Sequence, residues 1–196
     1  MKARIAIVAT LCGIAVLNAC GDPTNLKATT PTFTDTLAVF ALSGTPPSYP
    51  SGISIVARQA VRVDGFASFD VALDINDEGK AVIYPVKLVV SSPGGSRSVG
   101  LQRVSGTFNE VTAAPKTGYE VDTALVVAPG EVIAIEAAHN VSSSVSADVC
   151  SFALSPNLYA KIAVDSVNLA TRTLYLRMGF DPNCGFRSFA EGIPTS

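Results

Sequence analysis

The sequence has no tryptophan, a single histidine and few charged residues, which make up 15% of the chain. One histidine excludes zinc motifs that need two, such as His-Glu-x-x-His. A Ser-His-Asp site would have only His139 as its base, and neither a Gly-x-Ser-x-Gly elbow nor a Ser-x-x-Lys pair accompanies it. The sequence therefore predicts no catalytic residue, no metal site and no cofactor.

The charge balance argues against a nucleic-acid partner. Lys and Arg together number 14 and Asp and Glu number 16, for a formal net charge of −2. The basic residues are scattered along the chain and form no run or single-face cluster, so the electrostatic footprint of a nucleic-acid-binding protein is missing. Hydrophobic residues make up 48% of the sequence, which indicates a folded domain with a core.

The N-terminus has the pattern of an export signal. Residues 1–4 include Lys2 and Arg4, residues 5–16 are apolar, and small residues follow. A basic start, a short apolar segment and a small residue before the cut are typical of a secretory signal peptide. The apolar segment is shorter than the roughly 20 residues that a permanent transmembrane helix needs.

The motif Leu17-Asn18-Ala19-Cys20 resembles the lipobox of bacterial lipoproteins. The resemblance implies that the Cys20 thiol receives a diacylglyceryl group and that cleavage before it removes residues 1–19 as a signal peptide. Two or more acyl chains would hold the protein stably on a membrane. Because Gly21 follows the cysteine, the resemblance favours the outer membrane or the cell surface over the inner membrane. An ordinary secretory signal, or a single N-terminal membrane anchor, is the alternative.

Residues 20–35 are predicted to be the lipidated cysteine and a flexible tether. Residues 21–35 are rich in Thr and Pro and show no periodicity, which is typical of a spacer. The same composition also fits an irregular arm that packs on the domain.

Residues 36–196 are predicted to form a single all-β domain. Apolar residues alternate with polar ones in several segments separated by Gly-, Pro- and Ser-rich turns, which favours an antiparallel β-sandwich or a small open barrel. Expected strands include residues 69–75, 81–90, 101–108, 119–128, 131–138, 150–154, 158–164 and 174–180. Pro85 indicates an edge or bulged strand, and residues 50–63 could instead contain a short helix.

Cys150 and Cys184 are the two cysteines that remain beyond Cys12 and Cys20. An even pair in an exported protein predicts a disulfide, which would hold the C-terminal tail, residues 181–196, on the domain. A metal pair or a redox couple is the alternative. However, the sequence lacks the additional Cys or His ligands of a metal site and the Cys-x-x-Cys spacing of a redox couple.

Asp70 and Asp74 alternate with apolar residues in one predicted strand, and His139 ends another. We expect the two carboxylates to be solvated on an exposed face and His139 to lie in a polar loop. The sequence as a whole suggests a lipid-anchored cell-envelope protein with a non-catalytic binding or structural domain, whose partner is the membrane and an envelope protein or polymer. The alternative is a lipid-anchored hydrolase with a carboxylate-based site.

Overall fold

Two antiparallel sheets of five strands each contain almost all of the regular secondary structure in the computed structural model, which describes residues 27–64, 69–90, 98–139, 150 and 155–195. In chain order the elements are β1 (Phe33–Phe40), β2 (Gly52–Ser54), β3 (Gln59–Val61), β4 (Val71–Ile75), β5 (Ala81–Pro85), α1 (Val86–Val89), β6 (Val99–Val104), β7 (Leu125–Val127), β8 (Val132–Ala138), β9 (Asn157–Asn168) and β10 (Thr173–Asp181). Sheet I has the order β1-β10-β9-β8-β6, and sheet II the order β3-β2-β4-β5-β7. The predicted all-β, sandwich-like fold is confirmed, and neither sheet closes into a barrel.

The alternating residues of sheet I build the main core between the sheets. Leu158, Ile162, Leu176 and Met178, among others on β9 and β10, are fully buried and belong to one cluster with residues of sheet II such as Leu73. Removing this much apolar surface from water is the main force that holds the two sheets together.

The predicted boundary between tether and domain at residue 35 is wrong. β1 begins at Phe33 and pairs with β10, with Phe33 opposite Phe180. The backbone amides of Thr29 and Thr30 both donate to the side-chain oxygen of Asn183, at 2.9 and 3.1 Å. Packing and hydrogen bonds therefore fix the chain on the domain from Thr29 onward, as the alternative of a packed arm had suggested.

Sheet II differs from the sequence predictions in three places. Residues 50–63 contain a hairpin, β2–β3, and no helix. The predicted strand of residues 81–90 ends at Pro85 and continues as α1. β5 is also an interior strand, not an edge. Pro85 has no amide to donate, and it is compatible with this strand because β7 pairs only with Ala81–Ile83 and does not reach it. Of residues 119–128, only Leu125–Val127 is a strand.

A second, smaller cluster covers the outer face of sheet I. Phe108, Val111 and Ala114 from the β6–β7 connection and Phe189 from the C-terminal tail pack on Tyr159 and its neighbours. The backbone of the tail pairs with the same connection, since Phe189 N donates to the Thr112 carbonyl at 2.7 Å. Every described strand and both clusters lie between Phe33 and Phe189, so residues 21–196 contain the whole described fold.

Candidate functional site

The predicted disulfide between Cys150 and Cys184 is present, with Cα atoms 5.8 Å apart. That distance lies within the range that a disulfide requires. Cys150 is buried, and its amide donates to the carbonyl of His139 at 3.0 Å. The predicted strand over residues 150–154 and the predicted lipidation site Cys20 fall on residues outside the described part of the chain, apart from Cys150 itself.

Asp70 and His139 form a pair in the interior, which corrects the expectations that Asp70 would be solvated and that His139 would lie in a polar loop. Nε2 of His139 lies 3.0 Å from Oδ1 of Asp70, and both side chains are fully buried. The other carboxylate oxygen accepts the backbone amide of Ile55 at 2.7 Å. Because Asp70 precedes β4 of sheet II and His139 follows β8 of sheet I, the pair ties the two sheets together.

The buried pair is not presented to a ligand. The backbone of His139 is also bonded on both sides, to the Pro156 carbonyl at 2.7 Å and to the Cys150 amide. A buried carboxylate is stable only when it is paired and hydrogen-bonded, and Asp70 meets that condition. General acid-base catalysis requires the base to reach a proton of the substrate, which full burial of His139 prevents in this conformation.

Asp74 is also buried rather than solvated. Its carboxylate accepts hydrogen bonds from the hydroxyl and the amide of Ser43 and from Arg172, whose Nη2 lies 3.3 Å from Oδ1 of Asp74. Arg172 donates as well to the carbonyls of Ser43 and Ile75, at 2.7 and 2.8 Å. Arg172 belongs to the β9–β10 turn of sheet I, so this cluster is a further polar tie between the sheets.

Lys161 lies under the second cluster, on the outer face of β9. Its ammonium group donates to the carbonyls of Phe108 and Val111 and lies 4.2 Å from the centre of the Phe108 ring. Burial, and secondarily the charge of Arg177, lowers the pKa of Lys161. Carbonyl oxygens and an aromatic face both stabilise an ammonium group, so Lys161 holds the β6–β7 connection on sheet I.

Three further titratable groups with shifted pKa values lie on the same face. Burial raises the pKa of Asp181, whereas hydrogen bonds from Asn183 act to lower it. Burial and the nearby Glu136 carboxylate raise the pKa of both Tyr119 and Tyr159. Clustered pKa shifts can mark functional sites. Here, however, the β6–β7 connection and the C-terminal tail cover the cluster, and the Tyr159 hydroxyl is bonded to Glu136 at 2.8 Å.

An open apolar pocket lies where the N-terminal arm meets the end of the sandwich. We call it the Arg58 pocket; its volume is about 260 Å³. It is lined by Thr30 of the arm, Phe33, Leu158, Phe180 and Pro182 of sheet I and its ends, and Val56 and Arg58 of the β2–β3 turn. The Arg58 guanidinium lies 4.2 Å above the centre of the Phe33 ring. Small-molecule sites are usually concave and mostly apolar with a few polar groups, in volumes of about 300–1,000 Å³; this pocket has that composition and lies just below that size.

Sequence reasoning missed the Arg58 pocket because its walls come from four distant segments of the chain. No local pattern in the sequence marks the pocket. In the structure Arg58 takes a left-handed backbone conformation, with φ of 53°, at the turn of a short hairpin. Glycine, asparagine or aspartate usually fills such a position. An arginine there has a backbone cost that its packing on Phe33 partly offsets.

Within the described ranges, no group of three or more His, Cys, Asp and Glu side chains is arranged to hold a metal ion. None of the described helices is long and apolar enough to cross a membrane. No family model, no curated protein and no solved structure matches this chain.

Proposed function

We propose that this protein is a lipid-anchored component of the bacterial cell envelope, attached through Cys20 after removal of residues 1–19. The lipobox-like motif supports the anchor. The disulfide between Cys150 and Cys184 supports export, because disulfides persist in oxidising compartments and are rare in the cytosol. By the resemblance to lipoproteins, the outer membrane or the cell surface is the destination.

The β-domain acts as a non-catalytic binding module. The contrast between its buried and its open polar groups carries this proposal: Asp70, Asp74 and His139 are enclosed and bonded, whereas Arg58 stands at an open pocket. A carboxylate-based hydrolase is the weaker candidate, since the two aspartates that it would use have their oxygens committed to the interior. An envelope protein or polymer could bind separately, at the sheet edges and loops.

The arm brings the Arg58 pocket close to the anchor. Cys20 precedes Thr29, the first residue with a described hydrogen bond to the domain, by nine positions. A fully extended chain of that length spans at most about 30 Å. Since Thr30 lines the pocket, the anchored domain would hold the pocket within that distance of the lipid surface.

Lipid labelling in the native host tests the anchor. Cells that express the full chain are grown with labelled palmitate, and Cys20→Ser is compared with Cys12→Ser, which removes the other cysteine of the signal region. We expect label in the wild type and in Cys12→Ser, and none in Cys20→Ser, which should accumulate as uncleaved precursor. Equal labelling of all three proteins would exclude Cys20 as the acylated residue.

A further inference from the structure

We propose that the Arg58 pocket binds one single-chain fatty acid, with its alkyl chain in the pocket and its carboxylate on the Arg58 guanidinium. The inference rests on the binding-module part of the proposed function and is independent of lipidation at Cys20. Three observations carry it: the composition and size of the pocket, the unpaired charge at its side, and the backbone conformation that places that charge.

The pocket accepts an alkyl chain. Apart from Arg58, the described residues that line it are Phe33, Phe180, Leu158, Val56, Pro182 and Thr30, which present ring, methyl and methylene groups. An apolar cavity of about 150 Å³ can hold benzene, and this pocket is larger, at about 260 Å³. The pocket is therefore large enough to admit part of a medium-length acyl chain.

Arg58 supplies the complementary charge. Within the described part of the chain its guanidinium makes no ion pair with a carboxylate, whereas Arg62 pairs with Asp64 and Arg177 with Asp165. Arginine presents a planar fork of donors that binds a carboxylate at two points. The ring of Phe33 supports one face of the guanidinium and leaves its edge for an anion.

The backbone at Arg58 indicates that its position is specified. Its amide closes the β2–β3 turn by donating to the Ile55 carbonyl at 3.3 Å, with φ of 53°. Glycine would adopt this conformation without cost. Two described non-glycine residues have positive φ, Arg58 and Arg172. Arg172 ties the two sheets together, whereas Arg58 carries the pocket's charge, and strained positions that persist in a fold are concentrated at functional sites.

Calorimetric titration of the disulfide-bonded domain, residues 21–196, with decanoate below its micelle concentration tests the inference. Two variants are designed to impair the site: Arg58→Gln removes the charge, and Val56→Phe fills the pocket. Arg62→Gln removes a charge from the same hairpin outside the pocket. Val126→Phe adds the same bulk at an exposed position of β7. Thermal unfolding of each variant establishes that it is folded.

We expect saturable one-to-one binding of decanoate by the wild type and both control variants. Arg58→Gln should weaken binding at least tenfold, the loss of one charged hydrogen-bonding partner, and Val56→Phe should abolish it. Decyltrimethylammonium, with the same chain and the opposite charge, should bind at least tenfold more weakly than decanoate. Absence of saturable decanoate binding, equal binding of the two amphiphiles, or equal effects of the control variants would each overturn the inference.

Two further results separate the fatty-acid site from membrane contact and from the lipid anchor at Cys20. If the domain binds phosphatidylglycerol vesicles but not decanoate, and Arg58→Gln weakens the vesicle binding, Arg58 belongs to a membrane-contact surface and the fatty-acid site is excluded. Failure of decanoate to bind leaves the palmitate-labelling result at Cys20 unaffected, so the anchor and the pocket are tested separately.

Discussion

The carboxylate of Asp70 contacts the imidazole of His139 across 69 positions of sequence, at 3.0 Å, in the interior of the sandwich. Removing the Asp70 side chain takes a hydrogen-bond partner from two buried groups, the His139 imidazole and the Ile55 amide, and each loss of this kind costs about 1–3 kcal/mol. We therefore expect Asp70→Ala to lower the free energy of unfolding by about the sum of these two losses.

Urea unfolding, followed by far-ultraviolet circular dichroism, measures this loss. Asp77→Ala is the matched control, because Asp77 is an exposed aspartate in the turn that follows the same strand. Exposed substitutions of this kind usually change stability by less than about 0.5 kcal/mol. Equal losses in the two variants would show that the Asp70–His139 contact contributes nothing to stability.

The disulfide should stabilise the domain through the unfolded chain. It closes a loop with a sequence separation of 34 residues, for which the chain-entropy estimate is about 3–4 kcal/mol. The double variant Cys150→Ala/Cys184→Ala should unfold at correspondingly lower urea concentration. An unchanged midpoint in the double variant would contradict the estimate.

The tail, however, should stay on the domain after reduction of the disulfide. Phe186 and Phe189 are buried, and the amide of Ala114 donates to the Arg187 carbonyl at 2.7 Å. The disulfide is therefore one of several attachments of the tail. Limited proteolysis of the reduced, still folded protein should leave residues 185–189 intact, and rapid release of the tail would show that the disulfide alone retains it.

Replacing Lys161 should loosen the cover on sheet I. Lys161→Met preserves much of the side-chain volume but leaves the Phe108 and Val111 carbonyls without their donor. We expect a loss of about 2–3 kcal/mol and faster amide exchange in residues 105–120, measured by hydrogen-deuterium exchange. Lys116→Met, at an exposed position of the same connection, should change neither quantity. Unaltered exchange in Lys161→Met would mean that the aromatic contacts alone hold the connection.

Asp181 predicts a pH dependence with a defined sign. Burial raises its pKa in the folded state, so the folded protein holds the proton more tightly than the unfolded chain does. Its contribution to stability is therefore complete below the ordinary aspartate pKa of 3.8 and is lost as the pH rises through the raised value.

Asp181→Asn tests that sign. Burial outweighs the hydrogen bonds that Asp181 accepts from Asn183 and from the Ser188 amide in setting its pKa, and an amide at this position carries no charge. The variant should be more stable than the wild type at neutral pH, by about 1 kcal/mol, and the difference should shrink towards pH 4. A difference that grows on acidification would mean that the carboxyl has a lowered, not a raised, pKa in the fold.

Alternation of apolar residues was sufficient to predict the strands that form the core of sheet I. In residues 158–164 and 174–180 every second side chain is buried between the sheets, and the period-two pattern reports that directly. The short strands β2, β3 and β7 carry no such signal over three residues each. Their pairing depends on neighbouring strands in space, which the local sequence does not specify.

The buried polar groups could not be predicted from their own segments. Asp70 and Asp74 have the spacing of an exposed strand face, and the groups that satisfy them, His139 and Arg172, are distant in sequence. A carboxylate can be buried wherever a partner compensates it, so its location follows from the tertiary fold. The Arg58 pocket could not be predicted for the same reason, since its charge and its apolar walls come from different segments.

The three hydrogen bonds between Asn183 and the arm also determine how a mechanical load would enter the domain. A force applied through the chain that precedes Thr29 reaches the sandwich at the Thr29 and Thr30 amides, beside Asn183. The next residue, Cys184, is covalently joined to Cys150. Once the arm's hydrogen bonds yield, tension passes along β1, whose edge pairs only with β10 in sheet I. The point at which the domain is pulled is therefore next to the disulfide, its strongest cross-link. The first strand to separate is β1, which can pair with β10 again when the tension is released.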